Sequence, residues 1–265
     1  MKIYFLTYGD KKFFLSKKHI IHQAESSGMF YKSISLGPKD LDRKFRIEFN
    51  EILRQKRGGG YWIWKFRIIQ NVISQINRND LVVYCDAGAS LNINSSSKKR
   101  FSQYVDKIVN SDFGNFRMQC EPQYIEKNYT TKEIFDYFNI NPNSNIGNSP
   151  QLQAGHMIFK KNNHTSEFFK LYEDCLKFDK YLITDKYNLH QQKEFVDNRH
   201  DQSLFSIISK IHGAEVIKNE TEFRDRTELQ YNFPFLSVRR YGHGKKDYLK
   251  YFLNKKKFLE KTNYF

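Results

Sequence analysis

The stretch Leu81-Val82-Val83-Tyr84-Cys85-Asp86-Ala87-Gly88 decides the fold class of this 265-residue chain. The apolar run is typical of a buried strand, and Asp-Ala-Gly at its carboxyl end is typical of a turn. Ligands of open α/β sheets bind beyond the carboxyl ends of the strands. Asp86 therefore lies where a carboxylate would hold a divalent ion on a diphosphate, and Gly88 lets backbone approach a ligand closely. A plain strand-ending turn capped by Asp86 is the alternative interpretation.

Strand and helix patterns alternate along the rest of the chain. Further strands are expected at 1–8, 34–36, 153–159 and 216–217. Apolar residues at helical spacing predict helices at 17–27, 41–57, 65–77, 98–110, 165–178 and 202–212. Gly58-Gly59-Gly60 predicts the end of the helix at 41–57, and the Asn- and Gly-rich stretch 139–150 predicts a loop. The alternation predicts one α/β domain over 1–245 with a mixed, mostly parallel central sheet, followed by a tail over 246–265.

Composition narrows the class of protein. The chain has 24 Phe and 17 Tyr, an aromatic content that disordered chains lack. It has no apolar run near the roughly 20 residues that a membrane span requires, and its first ten residues do not resemble a signal peptide. We therefore expect a cytoplasmic protein. The three cysteines, Cys85, Cys120 and Cys175, are too widely spaced for a disulfide framework or a zinc site.

The net charge is the strongest compositional signal. Lys and Arg total 44 against 29 Asp and Glu, which gives +15. Such a charge implies an anionic partner: nucleic acid, an acidic membrane surface or a phosphorylated substrate. The basic residues are spread widely, and no helix-turn-helix, zinc or RNA-recognition signature is present, so we expect no nucleic-acid partner.

The tail at 246–265 combines six lysines with large apolar and aromatic side chains. This mixture suits a helix lying on an anionic membrane, with aromatics in the headgroup region and lysines attracting lipid phosphate. We therefore expect peripheral attachment at the inner face of a membrane. The alternative is that the apolar face packs on the domain and the lysines are merely solvated.

Three further clusters carry groups suited to binding or catalysis. Gly60-Tyr61-Trp62-Ile63-Trp64-Lys65 offers aromatic faces for sugars or bases and a lysine for phosphate, although at least one Trp is expected in the core. Arg199-His200-Asp201-Gln202-Ser203 precedes an amphipathic helix, where Asp201 acts as base, nucleophile or electrostatic stabiliser, or else only as the N-cap. Arg239 to Lys246 places His243 among glycines and basic residues, and this stretch is either a phosphate clamp or a solvated loop.

Taken in order, these segments resemble GT-A-fold glycosyltransferases, above all glycosyltransferase family 8. That family pattern runs from a basic helix through Asp-x-Asp, Asn-Ala-Gly and Asp-Gln to a late His-x-x-Gly-x-Lys loop. The matching stretches here are Lys65 with Arg67, Asp86-Ala87-Gly88, Gln153-Ala154-Gly155, Asp201-Gln202, and His243 with Lys245. Three stretches also look like capsule and lipopolysaccharide transferases of bacteria and large viruses: Gly60-Tyr61-Trp62-Ile63-Trp64-Lys65, Tyr84-Cys85-Asp86-Ala87-Gly88 and Arg199-His200-Asp201-Gln202-Ser203. The resemblance spans about 1–245 and implies a single GT-A, Rossmann-like, nucleotide-sugar transferase domain.

The resemblance implies a role for each matching residue. Asp86 would bind Mn²⁺ or Mg²⁺ on the donor diphosphate, with His243 as a further metal ligand. Asp201 would lie beside the anomeric carbon as the catalytic residue, with retention of configuration expected over inversion. The donor would be a nucleotide-sugar, UDP- in preference to GDP-, and the acceptor a glycan or lipid-linked glycan of surface polysaccharide or glycoprotein glycan synthesis. The donor-binding residues would be Thr7, Tyr8, Lys65, Asp86, Ala87, Gly88, Gln153, Ala154, Gly155, His200, Gln202 and Lys245.

The metal site departs from the family pattern. Gly88 stands at the second Asp of Asp-x-Asp, so one strong metal ligand is missing. Basic side chains that neutralise the diphosphate are the alternative to a metal. Two other functions stay open at this stage: a nucleic-acid-binding protein, which the charge favours, and a non-catalytic module with a degenerate transferase fold, which the lost carboxylate favours.

Overall fold

The computed structural model describes residues 1–188, 190–223, 227–238 and Leu253. The strands in this part of the chain are β1 (Ile3–Tyr8), β2 (Lys32–Leu36), β3 (Leu81–Cys85), β4 (Ser90–Leu91), β5 (Asn115–Met118), β6 (His156–Lys160), β7 (Glu215–Ile217) and β8 (Phe235–Leu236). The helices are α1 (Phe14–Ser27), α2 (Arg43–Glu48), α3 (Asn50–Leu53), α4 (Gly58–Tyr61), α5 (Trp64–Gln75), α6 (Ser95–Val109), α7 (Glu126–Tyr129), α8 (Lys132–Tyr137), α9 (Asn163–Phe178) and α10 (Asp201–His212).

Six strands form the central sheet in the order β2-β1-β3-β6-β5-β7. β1 is parallel to β2 and β3, and β5 is parallel to β7, whereas β6 is antiparallel to β3 and β5. The sheet is therefore mixed and mostly parallel, as the alternation of strands and helices predicts. Because β6 is reversed, its amino end lies beside the carboxyl end of β3. Cys85 pairs with His156 there, and the Asp86 N–H donates to the Gly155 carbonyl over 2.9 Å.

Helices cover both faces of the sheet. Successive strand residues point to opposite faces, so Val83 packs with α1 and α6 while Tyr84 packs with α5, α9 and α10. Both side chains are fully buried. The continuous apolar run of β3 thus reflects a strand that helices cover on both faces of the sheet.

The segment 41–57 is not one helix, contrary to the prediction. It divides at Phe49, whose φ of −105° and ψ of 19° interrupt the ladder between α2 and α3. Asp42 caps α2, because its carboxylate accepts a hydrogen bond from the Phe45 N–H. Phe45 and Ile52 are both buried. Apolar periodicity therefore identified the buried face of this segment but not the break within it.

Gly58-Gly59-Gly60 forms a left-handed turn, in addition to ending the preceding helical segment. Its φ angles are 58°, 59° and 99°, and Tyr61 and Trp62 continue at 53° and 58°. A left-handed backbone costs about 1–2 kcal/mol for each non-glycine residue, so glycines reduce the strain. Gly60 is also required by space, because a Cβ there would lie 2.7 Å from the Leu53 Cα. The turn delivers the chain to α5, which begins at Trp64.

The tail at 246–265 lies outside the described residues, apart from Leu253. Its predicted attachment to a membrane and the domain boundary at 245 stay predictions. Among the helices that the structure describes, none is long and apolar enough to cross a lipid bilayer.

Candidate functional site

A cavity of about 1060 Å³ lies at the carboxyl edge of the parallel strands. The ends of β1 and β3, the segment before β6, the glycine turn and the start of α10 all contribute to its wall. This is the edge at which open α/β sheets bind ligands. The predicted site residues on the wall are Tyr8, Lys65, Asp86, Ala87, Gly88, Gln153, Ala154, Gly155, His200, Asp201 and Gln202.

Of the three other predicted site residues, one lies away from this wall and two lie outside the described residues. Thr7 is fully buried within β1, because the strand alternation gives the cavity side to its neighbour Tyr8. Thr7 therefore does not line the cavity, contrary to the expectation that it borders a nucleotide base. His243 and Lys245 lie outside the described residues, and their roles stay predictions.

The ammonium of Lys65 lies at the centre of the site and contacts three oxygen atoms. Its Nζ lies 2.6 Å from Asp201 Oδ2 and 3.2 Å from Asp86 Oδ1, and it donates to the Ala154 carbonyl over 3.1 Å. An ammonium has three N–H donors, so these three acceptors match its capacity. Lys65 comes from α5, and its acceptors come from α10, the end of β3 and the segment before β6. Four separate parts of the fold thus converge on one nitrogen.

Lys65 stays charged although its side chain is buried. Burial lowers its pKa, but Asp201 and Asp86 outweigh burial, and the net pKa is raised above the ordinary value. Arg67, the other basic residue at the start of α5, instead pairs with Asp42 over 2.7 Å and does not line the cavity. Of the two basic residues at the start of this helix, only Lys65 therefore lines the cavity.

Asp201 is the buried carboxylate of the site, with 5% exposure. Burial raises its pKa to about 6, Lys65 lowers it, and Asp86 adds to the rise. Asp201 is therefore ionised at neutral pH and takes up a proton in weak acid. The N-cap interpretation is wrong, because His200 occupies the cap position of α10 and the Asp201 carboxylate reaches Lys65. The carboxylate also accepts a hydrogen bond from the Gln202 backbone N–H in the first turn of the helix, and it lines the cavity.

Asp86 is the exposed carboxylate of the site, with 44% of its side chain accessible. The Tyr84 hydroxyl donates to its Oδ1 over 2.6 Å, and Lys65 contacts the same oxygen. Oδ2 faces Gly155, where a Cβ would come within 3.4 Å of it. A glycine at 155 therefore leaves room beside the second carboxylate oxygen.

The described residues do not by themselves fit a divalent metal. No group of three or more His, Cys, Asp or Glu side chains suited to a metal ion occurs among them. Gly88 supplies no ligand, and Lys65 and Tyr84 already contact one oxygen of Asp86. Mn²⁺ and Mg²⁺ prefer several oxygen ligands, which this arrangement does not offer. The expected further ligand, His243, lies outside the described part of the chain.

The two tryptophans have different positions. Trp64 is buried and stacks on Tyr8, with ring centroids 3.9 Å apart, as expected for a core Trp that anchors the helix, and part of it also lines the cavity. Trp62 is half-buried, lines the cavity, and stacks on His200 with centroids 5.6 Å apart. His200 itself has a φ of 56° and pairs through Nδ1 with the Ile183 carbonyl over 3.0 Å. Trp62 and His200 therefore form an aromatic wall next to Asp201.

A salt-bridge network that we did not predict connects the glycine turn to the segment before α10. Arg57 pairs with Asp185 over 3.0 Å and with Asp197 over 3.1 Å. Both partners are far from Arg57 in sequence, and no local spacing signals such a contact. The network joins the two segments that carry Trp62 and Asp201, so it contributes to the shape of the cavity.

Comparison with protein-family models finds no match, and neither does comparison with curated protein sequences. Among solved structures, the bifunctional glycosyltransferase WbbM is 10% identical, with 93% of this chain and 46% of that one covered and a TM-score of 0.52. The present chain thus spans about half the length of WbbM. A glycosyltransferase involved in glycosylation of the major capsid of PBCV-1 is 11% identical, with 93% and 96% coverage and a TM-score of 0.49. Mouse xyloside xylosyltransferase 1 is 9% identical, with 92% and 96% coverage and a TM-score of 0.49.

These likenesses concern the fold. The chain has the GT-A glycosyltransferase fold, an α/β domain with a mixed, mostly parallel six-stranded sheet. The fold class expected from the sequence is therefore confirmed. The comparison does not single out family 8.

Proposed function

We propose that this chain is a glycosyltransferase that moves a sugar from a nucleotide-sugar donor to a glycan acceptor. The observation that carries the proposal is the cluster of Asp201, Lys65 and Asp86 on the wall of a cavity at the carboxyl edge of a GT-A sheet. A volume of about 1060 Å³ suits a ligand of nucleotide-sugar size, because small-molecule sites have volumes of about 300–1,000 Å³.

The proposed reaction exchanges one bond at the anomeric carbon for another. The bond from this carbon to the donor phosphate oxygen breaks, and the electron pair leaves with the phosphate. The acceptor hydroxyl oxygen forms the new bond on the face that the phosphate leaves, so configuration is retained, and its proton passes to the departing phosphate oxygen. The carbon becomes positively charged on the way, and the Asp201 carboxylate stabilises that charge because it is preorganised and largely desolvated. Asp201 acts without forming a bond in this scheme.

Unpaired cations on the cavity wall suit the phosphates of the donor. Lys12, Arg46, Arg54 and Lys56 line the cavity, and none of them forms a salt bridge with a described residue. Arginine and lysine neutralise phosphate oxygens through charge-assisted hydrogen bonds. We propose a UDP-sugar as donor, and a glycan of surface polysaccharide or glycoprotein glycan synthesis as acceptor.

The proposal is tested with a panel of UDP-, GDP- and CMP-sugars. The true donor raises the melting temperature by mass action, and it is slowly hydrolysed when water replaces the acceptor. Hydrolysis with release of the matching nucleotide, UDP, GDP or CMP, supports the proposal. If no donor stabilises the fold and none is hydrolysed, with EDTA or with Mn²⁺, the proposal is wrong. Stabilisation by a donor that is never cleaved would instead identify a binding module.

A further inference from the structure

We propose that the ammonium of Lys65 takes the place of a divalent cation between Asp86 and Asp201, so that the chain holds its donor without a metal ion. The reference to a donor rests on the proposed function. The placement of the ammonium rests on the geometry of the site alone, and the first experiment below therefore uses no nucleotide.

The first argument is the coordination of Lys65. Its nitrogen contacts one oxygen of each carboxylate, at 2.6 and 3.2 Å, and a backbone carbonyl at 3.1 Å. Three oxygens from three parts of the fold surround a point charge, and oxygen is the ligand type that a hard cation binds, although three is fewer than such an ion prefers. The side chain is 2% exposed, so it is held in place by its surroundings.

The second argument is the balance of charge. Asp86 and Asp201 each contact the ammonium of Lys65, and the two carboxylates would repel each other without a cation between them. A buried cation already neutralises one of the two carboxylates. A divalent ion between the two carboxylates would lie in contact with the ammonium, and like charges at that separation repel strongly in a low-dielectric site. Lys65 and a metal ion therefore exclude each other there.

The third argument is the missing carboxylate. Gly88 stands where the family pattern has the second Asp, and Tyr84 and Lys65 already contact one oxygen of Asp86, Oδ1. The loss of a metal ligand and the presence of a buried ammonium are thus found in one site. The exposed cations of the cavity wall remain to neutralise the diphosphate itself.

The experiment measures Mn²⁺ binding to the full-length protein by the loss of the free-ion EPR signal. We expect no binding by the wild type at millimolar Mn²⁺. We expect Lys65→Ala to bind about one ion per chain and to gain melting temperature with Mn²⁺, because two facing carboxylates are then left without their cation. The matched control is Lys65→Ala combined with Asp86→Asn, in which Mn²⁺ affinity should fall at least tenfold.

Three results would overturn the proposal. The first is tight Mn²⁺ binding by the wild type, with Lys65 in place. The second is a folded Lys65→Ala protein that does not respond to Mn²⁺. The third applies if Lys65→Ala does not fold and comes from a second experiment. Stabilisation of the wild type by UDP is then compared in EDTA and in Mn²⁺. Equal stabilisation supports the proposal, and stabilisation only with Mn²⁺ overturns it. Absence of any nucleotide binding would contradict the proposed function but would leave the Mn²⁺ measurements valid.

Discussion

Lys65 Nζ lies 2.6 Å from Asp201 Oδ2, and both side chains are almost completely removed from solvent. A buried ion pair is weak evidence for stability, because the loss of hydration offsets most of the attraction. What the pair does achieve is to keep a carboxylate ionised in a buried position at neutral pH. That condition is required of a group that stabilises a positively charged carbon.

Replacing Asp201 with Asn removes the charge and keeps the size. We expect donor hydrolysis and transfer to fall by about two orders of magnitude, because a preorganised charge near the reacting carbon is lost. We expect the melting temperature to change little, because the neutral side chain avoids the desolvation of a buried carboxylate and Lys65 keeps Asp86 as counter-charge. Rates are compared per folded molecule, with folding measured by circular dichroism.

The matched control for this change is Asp174→Asn. It breaks the exposed pair of Lys170 and Asp174 on α9, 2.5 Å apart, and surface pairs contribute at most about 1 kcal/mol. Its rate should equal that of the wild type. An Asp201→Asn protein with an unimpaired rate would remove Asp201 from the mechanism.

Activity should rise with pH through about 6. The pKa of Asp201 is raised to about 6 by burial, and only the ionised form stabilises the reacting carbon. Because Lys65 lowers that pKa, we expect the acid limb of the pH–rate profile to move to higher pH in Lys65→Met. The profile of kcat against pH measures both effects. A profile that is flat between roughly pH 5 and 8 would contradict the assignment.

Stability should change with pH in the opposite direction. The pKa of Asp201 in the folded state, about 6, exceeds its ordinary value of 3.8, so the folded state binds the proton more tightly. The contribution of Asp201 to the free energy of unfolding is therefore full below pH 3.8 and is lost as pH rises through about 6. Urea unfolding of the wild type and of Asp201→Asn across this range isolates the contribution. Identical pH dependence in the two proteins would show that Asp201 titrates normally.

Gly60→Ala should destabilise the protein much more than Gly59→Ala. Both positions have positive φ, 99° and 59°, but an added Cβ at Gly60 meets backbone atoms of Leu53 at 2.7 Å and of Ile52 at 3.0 Å. At Gly59 the nearest atom is 3.8 Å away, so only the left-handed backbone contributes, about 1–2 kcal/mol. The free energy of unfolding in urea measures the difference. Equal losses would mean that the close approach at Gly60 relaxes without strain.

Deleting residues 246–265 should abolish binding to anionic vesicles. The six lysines of this tail attract lipid phosphate at about 1 kcal/mol each, and its aromatic residues suit the headgroup region. In flotation assays the intact protein should need anionic lipid and should bind more weakly as salt rises. Transfer to a short soluble acceptor should survive the deletion. If the intact protein ignores anionic vesicles, the tail has another role.

Sequence periodicity predicted the class of fold, which the structure confirms. The apolar run before Asp86 predicted a strand buried on both faces, and β3 has that environment. The motifs at Lys65, Gln153-Ala154-Gly155 and Asp201 all line one cavity, because each lies at the end of an element that meets the same sheet edge. Local patterns report whether a segment is buried, which suffices for the alternation of strands and helices.

The tertiary structure decided how these groups meet. The reversal of β6 brings the Ala154 carbonyl to Lys65, and no local pattern encodes the direction in which a strand pairs. The same holds for the salt bridge of Arg57 and Asp197 and for the burial of Thr7. The charge state of Asp201 depends on burial and on two charges that are distant in sequence. Sequence alone therefore determined which side chains were available, and long-range packing determined their distances, their solvent exposure and their protonation.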